Sequence, residues 1–153
     1  MYSQACIDLV KQSEGERAVP YDDARPDYLL KPGDKVLGTL TCGVGHTGPD
    51  VVIGEVWSQE RIDSTLKSDL DSHEREMMAL VKVPLSQGQT DALLDWVFEE
   101  GVGRLKESTL LKVLNKGNYA AVPSELLKWV YVGDKVESGL VRRREAEVKL
   151  WNS

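Results

Sequence analysis

Apolar residues recur at helical intervals near the start of the chain, where Cys6, Leu9, Val10 and then Ser13 fall on one face. With Ser3 as an N-cap and Gly15 as a stop, this spacing predicts a helix over residues 4–14. The pattern then breaks. Between residues 17 and 57 stand Pro20, Pro26, Pro32 and Pro49, interleaved with glycines and with short apolar runs such as "YLL", "KVLGTLTCGVG" and "DVVIGEVW". Such runs predict a small sheet, and "KPGDK" between "YLL" and "KVLG" predicts a hairpin turn.

The helical period returns after Ser58. Ile62, Leu66, Leu70 and Met77 mark one face of a long helix reaching about Val81, and Pro84 ends it. "PLSQGQTDALLDWVF" starts the next helix, with Ser86 and Gln89 at capping-box spacing and Ala92, Leu93, Trp96 and Val97 turned inward. Gly101 and Gly103 are expected to close it. Further helices are predicted at 108–116, stopped by Gly117, around 119–130, and at about 139–151, so the second half reads as all helix. Strands segregated near the N-terminus with helices elsewhere make an α+β chain. Its length of 153 residues suits a single domain. Within it we expect a sheet lobe at about 15–57, a connecting helix at about 58–81, and a helical lobe at about 84–153 that takes in the N-terminal helix.

Charge and composition narrow the partners. Nineteen Lys and Arg against 25 Asp and Glu leave a net charge of −6, which gives nucleic acid no electrostatic footing. Cys6 and Cys42 are too few for a disulfide scaffold and lack metal-ligand spacing, so two buried free thiols are expected. No apolar run approaches a membrane span, and the start lacks the basic and apolar regions of a secretory signal. The expectation is a chain made in a cytoplasm without an anchor.

Candidate chemistry begins at Glu14, which closes the first helix beside its apolar face. Desolvation favours the protonated form of a carboxyl, the form a general acid must start from. Glycosidases pair such an acid with a second, ionised carboxylate across the scissile bond. "YDDARPD" offers Asp22, Asp23 and Asp27 in a polar segment just downstream.

Five stretches in register, "SEGERAVPYDD", "TCGVGHTG", "VPLSQGQTDALLDWVFEEGVG", "STLLKVLNKGNYAAVPSELLKW" and "GLVRRREAE", resemble the phage-type (T4-like) lysozymes, the endolysins of glycoside hydrolase family 24. The resemblance covers nearly the whole chain. The family pattern is Glu, eight residues, Asp or Cys, five residues, then Thr at the head of a T-x-G-x-G-H strand. Glu14 and Asp23 fit its first half, and Thr41 through His46 fit the strand. Where the pattern has five residues, this chain has seventeen, from Ala24 to Leu40. An insertion starting right after Asp23 keeps Asp23 in the functional position; an earlier start shifts that position to Asp27 or Asp34.

The resemblance implies a lysozyme-like fold and an N-acetylmuramidase, inverting, that cleaves the β-1,4 bond between N-acetylmuramic acid and N-acetylglucosamine in peptidoglycan without metal or cofactor. It implies Glu14 as general acid, with Asp23 and the Thr41 hydroxyl activating water. It further implies that His46, Thr47, Phe98 and Thr109 line the saccharide cleft and that an arginine lies close to the acid. Motif alignment makes that arginine Arg142, whereas the helical wheel through Leu140, Val141, Val148 and Trp151 turns Arg144 inward. His46 is expected to lock the sheet rather than act as acid or base. Glu99 replaces an amide of many relatives, and Pro123 replaces a polar cleft residue. The implied setting is phage-induced lysis by a monomer that waits in the host cytoplasm until a holin opens access to the wall. A net charge of −6 opposes approach to an anionic wall. It raises a second expectation, a peptidoglycan-binding or morphogenesis module with weak or lost hydrolysis, and a third, hydrolysis of a related polymer such as chitin.

Overall fold

A computed structural model describes all residues, Met1 to Ser153. The chain forms two compact units, one from Glu14 to Asp69 and the other from Met1–Ser13 together with Leu70–Ser153. Helix α1 (Gln4–Glu14) is followed by strands β1 (Arg17–Asp22), β2 (Leu40–Gly43) and β3 (His46–Thr47), which pair antiparallel in the order β1-β2-β3. Helices α2 (Gln59–Leu80), α3 (Gln87–Glu100), α4 (Val102–Glu107), α5 (Thr109–Asn115), α6 (Val122–Leu126) and α7 (Ser138–Trp151) account for most of the remainder. The α+β reading and the helix starts at 4, 59 and 87 agree with the periodicity. Cys6, Leu9 and Val10 are buried on α1, as are Ile62, Leu66, Leu70 and Met77 on α2. The Ser86 and Gln89 capping box forms with both reciprocal bonds.

Several expectations fail for local reasons. "KPGDK" does turn, with the Asp34 N–H donating to Lys31 O at 2.9 Å, but no hairpin flanks it. Side chains there take the bonds a ladder would use: Asp34 accepts from Lys31 N, Asp22 from Leu37 N and Gly38 N, and Arg25 donates to Lys35 O. "DVVIGEVW" is not a strand either. Two tight turns, Val51 N to Gly48 O and Glu55 N to Val52 O, consume its backbone groups before Trp57 N reaches Ala18 O at 2.8 Å.

The second half is not all helix. Strands β4 (Tyr131–Val132) and β5 (Lys135–Val136) make a small hairpin closed by Glu137 N on Val130 O. Its turn residues Gly133 and Asp134 carried the signal, but both strands are exposed, so no burial alternation announced them. The helix expected around 119–130 is a single 3-10 turn (Tyr119–Ala121) and then α6, because Pro123 suits the first turn of a new helix and cannot continue an old one. Gly101 caps α3 as expected, whereas Gly103 lies inside α4.

The Met1–Ser13 and Leu70–Ser153 unit is held by apolar packing around Trp96, Leu93, Leu94 and Leu110 and by a buried ionic cluster between α3 and α7. Arg143 meets Asp95 through Nε to Oδ2 at 2.9 Å and Nη2 to Oδ1 at 3.0 Å. Arg144 meets Glu99, and its Nε lies 2.8 Å from Glu147 Oε1. Cys6 and Cys42 are free and buried, as expected.

Candidate active site

Glu14 is the last residue of α1 and is half-buried in the same unit as the sheet. Strand β1 follows almost at once, and its residues alternate so that Pro20 and Asp22 turn inward. Asp23, the first residue beyond the strand, is exposed. The chain then leaves the sheet and returns at Leu40, which pairs with Asp22, while Thr41 pairs with Tyr21 and with Thr47. Asp23 therefore stands opposite Thr39 at the neck of the intervening loop, two residues from Thr41.

The peptide of Thr39 joins Asp23 and Thr41. Its N–H donates to Asp23 Oδ1 at 2.6 Å, and its carbonyl accepts both from Asp23 N and from the Thr41 hydroxyl, each at 3.1 Å. Asp27 and Asp34, the other carboxylates weighed for this position, lie farther along the loop, where Asp34 is spent on Lys31 N and the Tyr28 hydroxyl. Tyr21, stacked under the Arg17 guanidinium at 4.0 Å, feels both Glu14 and Asp23. Burial above all raises its phenol pKa; the Arg17 charge opposes this, and the two carboxylates add to it.

Asp22, one of the three downstream carboxylates the sequence offered, was assigned no role there. Its side chain is fully buried, and it accepts from the N–H groups of Leu37 at 2.8 Å, Gly38 at 2.9 Å and Ala24 at 3.0 Å and from Arg25 Nε at 3.2 Å. Led by the Leu37 N–H, these donors outweigh desolvation and hold its carboxyl down at about 2. The usable signal was its inward phase on β1, where a charged group needs partners.

His46 on β3 has both ring nitrogens occupied, Nδ1 by Asp69 at 2.7 Å and Nε2 by Asp50 at 2.9 Å. It ties β3 to α2. Burial disfavours its charged form, but the two carboxylates win and its pKa is raised. Behind it Gly43 and Gly45 adopt φ of 66° and 63° in the turn joining β2 to β3, and a Cβ on Gly43 would press to 3.2 Å from the Trp57 ring. The glycines thus serve the turn and the indole. Thr47 is exposed.

In the other unit, Phe98 is half-buried with its ring edge-on to His73 at 5.4 Å, and Thr109 is exposed on the first turn of α5. Arg142 is exposed on α7; Arg143 and Arg144 are the inward members of the triplet. No cluster of side chains has the composition of a metal site, and no helix is long and apolar enough to cross a membrane.

The sequence profile described as phage lysozyme matches residues 11–147. An endolysin of Bacillus phage B103 is 40% identical over 149 residues, covering 97% of this chain and 53% of the relative, so the chain spans about half that protein's length. A SAR-endolysin of Escherichia phage Mu is 39% identical over 117 residues, covering 76% of this chain and 68% of the relative. Among solved structures, a P22 lysozyme mutant superposes with a TM-score of 0.82 at 35% identity, covering 100% of this chain and 99% of that one.

Proposed function

Because this chain belongs to the phage lysozyme family, we propose that it is an endolysin: an N-acetylmuramidase that hydrolyses the β-1,4 bond between N-acetylmuramic acid and N-acetylglucosamine in bacterial peptidoglycan. Support comes above all from one observation, the shared grip of the Thr39 peptide on Asp23 and Thr41. The Thr41 hydroxyl gives its only proton to Thr39 O, so toward a water it is an acceptor. Asp23 commits Oδ1 to Thr39 N, and Oδ2 is its second acceptor. A water that donates one proton to each turns its own lone pair outward, toward the anomeric carbon of a sugar.

In this reading Glu14 protonates the departing glycosidic oxygen while Asp23 takes the proton of the attacking water. Attack by that water, with no covalent sugar on the protein, gives inversion. His46 anchors β3, the strand paired with the one that carries Thr41; with Thr47, Phe98 and Thr109 it is assigned to the saccharide cleft by family likeness. Family likeness assigns Arg142 to the neighbourhood of the acid, with Arg144 as the alternative; on α7 Arg142 is exposed and Arg144 wholly buried. The protein acts as a monomer and reaches the wall from the host cytoplasm once a holin has opened the membrane.

Clearing of a suspension of purified cell walls tests this. Wild type clears it, and Glu14→Gln and Asp23→Asn each slow clearing by about a hundredfold or more, the scale of a lost acid or base. Reducing-end analysis should show the α-anomer first. Binding without clearing by wild type would replace the hydrolase with a wall-binding module, and clearing that survives Glu14→Gln would place the acid elsewhere.

A further inference from the structure

The segment from Ala24 to Gly38 separates two residues whose mutual placement the hydrolytic reading depends on, yet no strand ladder crosses it. It is internally ordered. Arg25 stacks on Tyr28 at 4.2 Å and donates to Lys35 O at 2.9 Å, the Tyr28 hydroxyl reaches Asp34, and Leu30 is buried. Internal order of this kind does not by itself set the distance between the loop's two ends. What fixes that distance here is the neck.

We propose that Asp22 is a positioning residue for hydrolysis: its buried carboxylate clamps the two sides of the loop neck and so sets Asp23 against Thr41. On the outgoing side, Oδ1 accepts from Ala24 N and Oδ2 from Arg25 Nε; on the returning side, Oδ1 accepts from Gly38 N and Oδ2 from Leu37 N. Each oxygen thus bridges the neck. Thr39, the next residue, is the one whose peptide holds both Asp23 and Thr41. Gly38 shows how closely the neck is drawn, since a Cβ there would collide with Asp23 Oδ1 and press within 2.9 Å of Ala24 N. An amide at position 22 offers one acceptor oxygen where four donors converge, and its own N–H groups face two of them. The neck then opens, and a displacement near 1 Å between catalytic groups is worth about a hundredfold in rate.

The inference rests on the hydrolase reading, so its test carries arms that fail separately. In the full chain, Asp22→Asn and Gly38→Ala are assayed on cell walls across substrate concentration, well below each variant's melting temperature. Both lower kcat by about 10- to 100-fold with KM within about twofold, and the pH at which the rate peaks stays put, because Asp22 transfers no proton. Unchanged kcat with a lowered melting temperature would reduce Asp22 to a fold-stabilising residue and overturn the proposal, as would a raised KM with kcat intact. Amide hydrogen exchange needs no activity. Leu37, Gly38 and Thr39 N–H groups are protected in wild type and lose that protection in Asp22→Asn; retained protection overturns the clamp. If wild type itself fails to clear walls, the hydrolase reading falls, and the exchange result alone still decides whether Asp22 closes the neck.

Discussion

Asp95 and Glu147 are both fully buried carboxyls facing Arg143 and Arg144, yet replacing each by its amide should have very different consequences. Two arginines balance two carboxylates. Asp95, bound in a fork by Arg143, and Glu99, bound to Arg144, supply both charges, and Glu100 is engaged by Arg104 at 2.6 Å. A third carboxylate at Glu147 would leave the cluster negative in a place without water. Burial first, then repulsion by Asp95 and a hydrogen bond that protonated Glu147 donates to Asp95, accordingly raise the Glu147 pKa well above its usual value and favour its neutral form against Arg144. Asp95→Asn removes one partner of a buried pair and should cost about 3–5 kcal/mol. For a chain of this size that lowers the melting temperature by roughly 6–20 °C. Glu147→Gln swaps one neutral group for another of the same shape and should cost less than about 1 kcal/mol near neutral pH.

The sign of the pH dependence separates the two further. A carboxyl whose folded pKa lies above its unfolded one contributes stability that is present below the unfolded value and lost as pH rises through the folded one. Glu147→Gln carries no such loss, so its stability relative to wild type should improve steadily from pH 4.5 upward. Urea unfolding of wild type and both variants at pH 4.5, 6 and 8, with m held common, measures this. Equal losses for the two variants, or a Glu147→Gln deficit that grows with pH, would falsify the neutral assignment and with it the charge balance.

Two other sites carry predictions of the same kind. His46→Gln should cost more at pH 5.5 than at pH 8.5, because its raised pKa makes its stabilising share complete below about 6.5 and lost as pH rises through the folded value; a constant deficit in thermal melts would mean that Asp50 and Asp69 do not act as its charged partners. Gly88→Ala should destabilise by about 1–3 kcal/mol although alanine favours helices, since its methyl would fall on Leu150 O and Ser153 Oγ where α3 meets α7; an unchanged denaturation midpoint would show that the helices can part freely.

What the sequence made legible follows from where burial and chemistry share a period. Ile62, Leu66, Leu70 and Met77 are buried at helical spacing, so α2 could be read directly, and Ser86 with Gln89 announced the start of α3. The β4 and β5 hairpin lies wholly exposed, and exposed strands leave no alternation to find. At the candidate site, Glu14, Asp23 and Thr41 came from motif register, whereas Asp22 could not, because its importance arises from Leu37 and Gly38, far along the chain and brought back only by folding. His46 drew attention through its glycine-rich setting. Its partners Asp50 and Asp69 lie on different elements and were invisible for the same reason.

The long connection between Asp23 and Thr41 is better understood as cheap in free energy and demanding in geometry. Lengthening a flexible loop from five residues to the seventeen found here costs about 1 kcal/mol of closure entropy, no more than one net hydrogen bond. The fold can absorb that easily. Catalysis cannot absorb the freedom that comes with it, because two groups that must share one water have to be held to a fraction of an ångström. A longer loop at this point therefore requires a device that makes its neck indifferent to its length. A buried carboxylate accepting from both sides of the neck has that property: the four donors to Asp22 come from Ala24, Arg25, Leu37 and Gly38, and none comes from the loop's middle. Residues 27–35 can then vary in length or sequence with little effect on the rate, while the positions bordering the neck cannot.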